Sequence, residues 1–322
     1  MDGFLGFYLG WHFDRQKIET EILSGGVSSL RQSTDYKLIS PLLLCSPFDN
    51  KDFTEYKALE KKINDFIFST RSDSTALIGV YFRDLVNGHW VGINENQKFS
   101  PASLLKVPIM IAYLKFAEKD PRFLSKIISY DGSFDINKIE YFHSDYWINP
   151  GSYKTEDLIK AMIVNSDNNA TKLLSDNIDH DSLAEVFTDL QLPFPGTNAP
   201  ESDFISPKSY SYFFRVLYNA TYLSKVYSER ALEILATPNF PQGISASIPA
   251  GISVAQKFGE RSVFKNTGGL DQRELHNCGI VYHPKHPYVL CVMTKGKDFP
   301  SLAETIKGIN RVVYDDVSQL GQ

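Results

Sequence analysis

The spacing of apolar residues changes along the chain and predicts different kinds of segment. Apolar positions one helical turn apart, with charges between them, predict an amphipathic surface helix over 55–67. Runs rich in β-branched and aromatic residues over 75–85 and 89–93 then flank Asn87-Gly88, a dipeptide typical of tight hairpins. The sequence therefore predicts a helix followed by two antiparallel strands.

The middle of the chain, from Pro101 to about Leu235, has helical spacing almost throughout. Thr155 is a candidate N-cap of one helix. Ser206 and Pro207 have the character of a cap and a first helical residue for another. A block of several helices therefore separates the first strands from the rest of the chain.

Strand patterns return near the end of the chain. Residues 276–283 and 288–296 flank a Pro-Lys-His-Pro turn and predict a second hairpin. Residues 299–320 then have the period of an amphipathic helix, which closes the chain. Strands thus come from both ends of the chain, on either side of the helical block.

This order predicts an α+β fold with three layers, α/β/α. An antiparallel sheet is built from both chain ends and flanked by helices, and an all-helical subdomain is inserted between its halves. We expect an N-terminal extension over 1–52 and one folded domain over 53–322. Within that domain, 53–100 and 246–322 form the α/β part and 101–245 the helical part.

Composition narrows the function classes. The chain has 322 residues, of which 43% are hydrophobic, so it can bury a sizeable core. Its net charge is -5, and its basic residues are spread rather than clustered. A nucleic-acid partner is therefore not expected. The apolar stretch 4–13 is too short to span a membrane and is either the remnant of a membrane anchor or signal region, or a surface helix.

The three cysteines are Cys45, Cys278 and Cys291. They lack metal-ligand spacing, and an odd number cannot form a closed disulfide framework. Cys278 and Cys291 are symmetric about the second hairpin turn, so they should face each other across it. A direct cross-strand disulfide is uncommon, and we therefore expect two buried thiols.

A serine and a lysine three residues apart stand at the start of an apolar segment. If Ser100 caps the helix and Pro101 is its first residue, Ser103 lies in the first turn and Lys106 lies one turn later on the same face. Burial lowers the pKa of a lysine, and a neutral lysine can remove the proton from a serine hydroxyl. The competing interpretation is a surface lysine that happens to follow a serine.

Two further motifs favour the chemical interpretation. Ser166-Asp167-Asn168 follows an apolar helix, and Lys257-Phe258-Gly259 lies in a strand ahead of the second hairpin. The ordered set S-x-x-K, S-D-N and K-[ST]-G is the signature of class A β-lactamases and penicillin-binding proteins. The chain resembles that family over roughly residues 55–320, in its order of elements as well as its motifs.

Two similar motifs compete with these assignments. A second Ser-Asp-Asn at 175–177 lies at the end of the next helix and is farther from Ser103 than the first. Lys-Asn-Thr-Gly at 265–268 has the composition of a turn. We favour Ser166 and Lys257 because their spacing and strand context fit the pattern better.

The resemblance implies a role for each matching residue. Ser103 attacks a carbonyl carbon and becomes acylated, Lys106 is the base, and Ser166 passes a proton to the leaving nitrogen. The other implied roles are backbone N–H donation by Ser103 and Glu260 to an oxyanion, substrate binding by Asn168, Gly259, Phe258 and Arg261, and positive potential from Lys257. The resemblance implies neither a metal nor an organic cofactor.

The sequence departs from the family at two points. Class A enzymes carry a deacylating glutamate in a loop after the S-D-N helix, and the stretch between Ser166 and Asp203 is too short to hold that loop in full. Glu201 is the one nearby acid that could replace it, and the alternative is a solvated loop carboxylate. Phe258 stands where the family has a hydroxyl for the substrate carboxylate, and Arg261, among others, is a candidate to compensate.

These features predict a serine hydrolase that forms an acyl-enzyme on Ser103, with β-lactam hydrolysis as the leading activity and slow deacylation. The alternatives are a D,D-peptidase or esterase, or a β-lactam-binding sensor or pseudo-enzyme without turnover. The aromatic stretch 141–147 either lines the cleft or packs in the core. We expect a monomer that acts on a β-lactam, peptide or other acyl substrate outside the cytoplasmic membrane, with a possible tether through its N-terminus.

Overall fold

The computed structural model describes residues 36–40, 54–70, 75–137, 140–192, 203–237, 240–264 and 269–320. Within these ranges there are eight α-helices and seven strands. The helices are α1 (Thr54–Thr70), α2 (Lys106–Lys119), α3 (Thr155–Val164), α4 (Asn168–Asp176), α5 (His180–Asp189), α6 (Pro207–Tyr218), α7 (Lys225–Leu235) and α8 (Phe299–Gln319). The strands are β1 (Thr75–Asp84), β2 (Trp90–Ile93), β3 (Ile127–Tyr130), β4 (Gly151–Lys154), β5 (Val254–Phe264), β6 (Leu270–Val281) and β7 (Tyr288–Gly296).

The main sheet has five antiparallel strands in the order β2-β1-β7-β6-β5. β1 from the first half of the chain pairs with β7 from its end, so the prediction of a sheet built from both chain ends is confirmed. β5 forms one edge of this sheet. The small sheet of β3 and β4, inside the helical block, was not predicted because each strand has only four residues.

Two hydrophobic cores lie on the two faces of the main sheet. One contains residues of α1 and α8, such as Leu59 and Ile306, together with side chains from the sheet. The other joins the opposite face to the helical block, and α2 lies within it, buried on almost every side. A helix that is apolar all round is stable only when other elements surround it. The three-layer α+β fold predicted from the sequence is therefore confirmed.

The chain enters the reactive segment differently from the prediction. A short 3₁₀ helix, Ala102–Leu105, precedes α2, and Ser100 caps neither element. The backbone of Ser100 is instead held by β6: its N–H donates to Glu274 Oε2 at 3.3 Å, and its carbonyl lies 2.9 Å from His276 Nε2. Tertiary contacts with the sheet, rather than a local cap, therefore position the turn that carries Ser103.

The other two predicted caps have different outcomes. Lys154 occupies the N-cap position of α3, and Thr155 is the first residue of that helix. The hydroxyl of Thr155 donates to the carbonyl of Lys126 in the turn before β3, at 3.1 Å. Ser206 caps α6 with a full capping box, and Pro207 is the first residue of that helix, as predicted.

The expectation of two buried thiols in the second hairpin is wrong. Cys278 and Cys291 are directly opposite in the pairing of β6 with β7, as predicted, and they form a disulfide. Their Cα atoms are 4.0 Å apart, and both side chains are fully buried on the same face. Because paired residues on adjacent strands point the same way, nothing separates the two sulfur atoms.

Candidate active site

The turn that carries Ser103 lies against the edge strand β5. Ala102, just before Ser103, has a φ of +46°, in the left-handed region that non-glycine residues rarely adopt. A Cβ placed on Gly259 would lie 3.2 Å from the backbone nitrogen of Leu104 and 3.2 Å from the carbonyl oxygen of Pro101. A glycine is therefore needed for β5 to pass this close to the turn, and the Ser103 side chain remains partly exposed.

Ser166 is the meeting point of two buried lysines. It lies between α3 and α4 with a φ of +53°. Its Oγ accepts a hydrogen bond from Lys106 Nζ at 3.1 Å and another from Lys257 Nζ at 3.0 Å. These bonds use both acceptor positions of the hydroxyl, so its own proton points away from the lysines.

Lys106 begins α2 and is 3% exposed. Besides Ser166 Oγ, its Nζ donates to the Ser166 carbonyl at 2.5 Å and to Asn168 Oδ1 at 2.7 Å. Burial lowers the pKa of Lys106 to about 8, although negative charges on Glu140, Asp167 and Glu260 oppose that change. A substantial fraction of this lysine is thus neutral in a mildly alkaline solution.

Lys257, in β5, is fully buried. Its Nζ donates to the Phe258 carbonyl at 3.0 Å and lies 4.2 Å from the centre of the Phe258 ring. Burial, followed by the charge of Lys106, lowers the pKa of Lys257 well below its ordinary value. Two ammonium groups on one hydroxyl repel each other, so the arrangement favours loss of a proton from the pair.

Asp167 fixes the turn that presents Ser166 and Asn168. Its carboxylate is fully buried and caps α4 by accepting the N–H of Ala170 at 2.8 Å. It also accepts the N–H of Ile148 at 2.7 Å and the side-chain amide of Asn137 at 3.1 Å. The Ser-Asp-Asn turn is therefore held from the segment before α3 as well as from its own helix.

Asn168 is held at both ends of its side-chain amide. Its Oδ1 accepts from Lys106, and its Nδ2 donates to Glu140 Oε1 through a short hydrogen bond. Glu260 faces the segment that begins at Glu140, because its carboxyl group accepts the backbone N–H groups of Tyr141 and Phe142. Burial and the neighbouring Glu140 raise the pKa of Glu260 to about 8, although those two N–H groups oppose this.

The remaining predicted site residues lie along β5 or outside the described residues. Phe258 is 4% exposed, and its ring stacks on Phe240 with 4.2 Å between centroids. Arg261 Nη1 lies 3.9 Å from Glu274 Oε1. Glu201 and the alternative motif at 265–268 are outside the described residues. The alternative Ser-Asp-Asn lies at the C-terminal end of α4, where Asp176 pairs with Lys172.

A second group of charged residues lies farther along β5, β6 and β7. Lys295 Nζ is 2.5 Å from Asp203 Oδ2 and 3.6 Å from Glu274 Oε1. Burial alone would raise the pKa of Glu274, but the hydrogen bond from His276 and the charges of Lys295 and Arg261 lower it. These pairs secure the chain at Asp203 and, through Glu274, the backbone of Ser100.

An aromatic groove of about 730 Å³ adjoins the lysine cluster. It extends from Asn165, next to Ser166, to Phe258, next to Lys257. The segment 141–146 forms one side of it, and Phe240 lies on the other side. Most of this segment thus lines the groove, and Phe142 also packs against Phe258 and Phe299. That the groove is the reactive cleft stays a prediction.

Sequence reasoning did not single out Glu140 or Asn137. Neither belongs to a motif, and each approaches the Ser-Asp-Asn turn from about 30 residues earlier in the chain. The one sequence signal is the position of Glu140 immediately before the aromatic stretch 141–147. The described part of the chain contains no cluster of three or more side chains suited to a metal ion. Its helices also include none with the length and apolar character of a membrane span.

Comparison with solved structures finds the same architecture in β-lactamases and in a penicillin-binding protein. A mutant of PBP-A, described as an acyl-enzyme complex with penicillin G, has a TM-score of 0.66 at 22% identity, over 82% of this chain and 97% of that one. A β-lactamase from Sphaerobacter thermophilus has a TM-score of 0.65 at 20% identity, over 82% and 98%. A class A β-lactamase from Mycobacterium abscessus has a TM-score of 0.64 at 22% identity, over 81% and 99%.

At these identities the likeness to solved structures establishes the fold alone. No curated protein matches the chain. The family was assigned from sequence instead: the model of the Beta-lactamase enzyme family matches residues 58–317, which is most of the chain. That range includes both lysines, the Ser-Asp-Asn turn and the whole of the main sheet. The chain therefore belongs to the beta-lactamase enzyme family.

Proposed function

We propose that the protein is a serine hydrolase that forms an acyl-enzyme on Ser103, with β-lactam ring opening as its leading activity and with slow deacylation. The observation that carries this proposal is the sharing of the Ser166 hydroxyl by Lys106 and Lys257, one turn from Ser103. Two buried lysines on one hydroxyl have no evident structural benefit, because neither forms a salt bridge with a carboxylate among the described residues, and buried charge is unfavourable without one. Proton transfer at that hydroxyl would explain why both lysines are buried there.

In the first half of the reaction, neutral Lys106 takes the proton of Ser103, directly or through a water molecule. The Ser103 oxygen bonds to the carbonyl carbon, and backbone N–H groups of Ser103 and Glu260 receive the negative oxygen. The C–N bond then breaks, and the Ser166 hydroxyl gives its outward-pointing proton to the leaving nitrogen. Ser166 then regains a proton from one of the two lysine amines, which restores its hydroxyl group.

The second half requires a water molecule and a base, and the expected loop carboxylate has no clear equivalent. Glu201 remains the candidate base, on sequence grounds alone. A persistent acyl-enzyme is therefore the second candidate function, as in a sensor, and the acyl-enzyme complex of the PBP-A mutant supports it. A D,D-peptidase or an esterase acting on another acyl group is the enzymatic alternative. Phe258 supplies no hydroxyl for the carboxylate of a β-lactam or of a D-Ala-D-Ala peptide, so it favours the esterase among these activities. We place the activity outside the cytoplasmic membrane, where this family usually acts.

Intact-protein mass spectrometry with penicillin G tests the proposal. We expect an adduct with the mass of the whole penicillin, located on Ser103, that decays slowly and is absent in Ser103→Ala. Decay within seconds supports a β-lactamase, and persistence for hours supports the sensor. Glu201→Gln should slow the decay only if Glu201 is the base. Absence of both adduct and penicillin hydrolysis in the wild-type protein would remove β-lactams as substrates.

A further inference from the structure

Glu140 occupies a position in the candidate site that the resemblance assigns to the substrate. On that resemblance, the Asn168 side chain binds the substituent on the carbon next to the scissile carbonyl. Here both ends of the Asn168 amide have partners, since Oδ1 accepts from Lys106 and Nδ2 donates to Glu140. An acylamino substituent needs a free N–H donor at this point and instead meets a carboxylate.

Glu260 keeps that carboxylate in place. It lies in β5, immediately after Gly259, and its carboxyl group accepts the N–H groups of Tyr141 at 3.0 Å and Phe142 at 3.0 Å. Burial and the neighbouring Glu140 also raise the pKa of Glu260 to about 8, so the Glu260 carboxyl group holds its proton near neutral pH. Glu260 therefore attaches the segment that follows Glu140, and lines the groove, to the edge strand.

A free ammonium group satisfies this arrangement better than an amide does. It is a cationic donor, and its hydrogen bonds to a carboxylate are stronger than those between neutral groups. It is also compact, so it can approach Glu140 without displacing Asn168. A cation at this point would further disfavour the charged form of Lys106, which lies on the other side of the Asn168 amide, and would thus favour the neutral base.

We propose that Glu140, held by Glu260, selects acyl donors with a free ammonium group next to the scissile carbonyl, such as aminoacyl esters and amides or peptide N-termini, over N-acylated ones. The inference rests on the proposed acyl transfer at Ser103. The Ser103 oxygen bonds to the aminoacyl carbonyl carbon, the amine or alcohol leaves with the proton from Ser166, and water later releases the free amino acid. Glu140 determines specificity in this scheme and takes no part in the proton transfers.

The test compares alanine p-nitroanilide with its N-acetyl derivative, each as D and L forms, at pH 7 with the full chain. For the preferred enantiomer we expect kcat/KM for the free amine to exceed that for the N-acetyl compound at least tenfold. Glu140→Gln should reduce this ratio at least tenfold. Glu60→Gln, which changes an exposed carboxylate of α1, should leave the ratio unchanged. Ser103→Ala should release no p-nitroaniline from either compound.

The ratio of kcat/KM for the free amine to that for the N-acetyl compound, measured in the wild-type protein, tests the inference even if Glu140→Gln does not fold. A ratio of one or less, or release from neither compound, overturns the inference, and so does an unchanged ratio in a folded Glu140→Gln protein. The penicillin G adduct on Ser103, measured with the same protein, separates the two proposals. Its presence alongside an unfavourable ratio refutes the ammonium preference alone, whereas its absence, together with no release of p-nitroaniline, refutes acyl transfer as well.

Discussion

Buried lysines occur at two places against the main sheet, one where α2 meets β5 and the other in β7, and their surroundings are opposite in kind. Near Lys257, two lysine amines share one serine hydroxyl, and neither forms a salt bridge with a carboxylate among the described residues. At the second place, Lys295 of β7 lies between two carboxylates, Asp203 and Glu274. The first arrangement lowers the pKa of its two lysines, and the second uses a lysine to join segments through ion pairs. On the proposed function, similar residues thus serve chemistry at one place and structure at the other.

The largest effect expected from this difference concerns Lys106→Met. Methionine has a similar length and no charge, so the packing of α2 should be retained. Removal of the base should slow acylation of Ser103 by about 10³-fold, as for other general bases. The free energy of unfolding should stay the same or rise, because the change removes a buried amine that forms no salt bridge with a described carboxylate. Stopped-flow acylation by a chromogenic β-lactam and urea denaturation measure the two quantities.

Lys172→Met is the matched control, because Lys172 is an exposed lysine of α4 that pairs with Asp176. It should change neither the acylation rate nor the stability measurably. An acylation rate in Lys106→Met within a few-fold of the wild-type rate would show that Lys106 is not the base. The low pKa of the lysine cluster would then have no role in acylation.

Lys295→Met should have the opposite result. It removes one of the cations that face the buried Glu274, leaving the more distant Arg261, and it releases Asp203. Loss of one partner of a buried ionic group lowers the free energy of unfolding, here by about 2 kcal/mol. The acylation rate of the folded fraction should fall less than tenfold. Urea denaturation followed by circular dichroism tests the stability.

A matched exposed pair is available on α1, where Lys61 contacts Asp65 one turn later. Lys61→Met should not shift the urea midpoint detectably, because exposed pairs contribute little. Equal stability of Lys295→Met and the wild type would mean that the second group of charges is not a structural support.

The third effect concerns the contact of β5 with the Ser103 turn. Gly259→Ala places a methyl group 3.2 Å from the backbone nitrogen of Leu104, and backbone atoms cannot move aside without moving Ser103. We expect acylation to slow about tenfold and the free energy of unfolding to fall by about 1 kcal/mol. Gly151→Ala is the control, since its methyl group would meet only the Tyr153 ring at 3.6 Å. Equal rates in the two variants would contradict this prediction.

What the sequence predicts well is local, and what it misses depends on tertiary contacts. Helical and strand periods, the Ser206 cap and the Ser-Asp-Asn turn each depend on a few neighbouring residues, and they are found where predicted. The Ser100 cap fails because Glu274, 174 residues away, binds the backbone of Ser100. Glu140 reaches Asn168 across 28 residues, with no motif to mark it. The lysine cluster was predictable because its motifs recur in a known family, and Glu140 was not.

The smallest effect is a change in the pH dependence of acylation. In the wild-type protein the pKa values of Lys106 and Glu260 are both about 8, so Glu260 gains its negative charge over the pH range in which Lys106 loses its proton. A negative charge favours the ammonium form and delays that loss, so acylation should rise from pH 6 and level off only well above pH 8. Glu260→Gln removes this charge and should move the midpoint of the rise down by roughly half a pH unit. Acylation rates between pH 6 and 10, with Glu60→Gln as the control, measure this. A midpoint that moves up would mean that the Glu260 carboxylate does not act on Lys106, and the two lysine environments would then differ in their direct contacts alone.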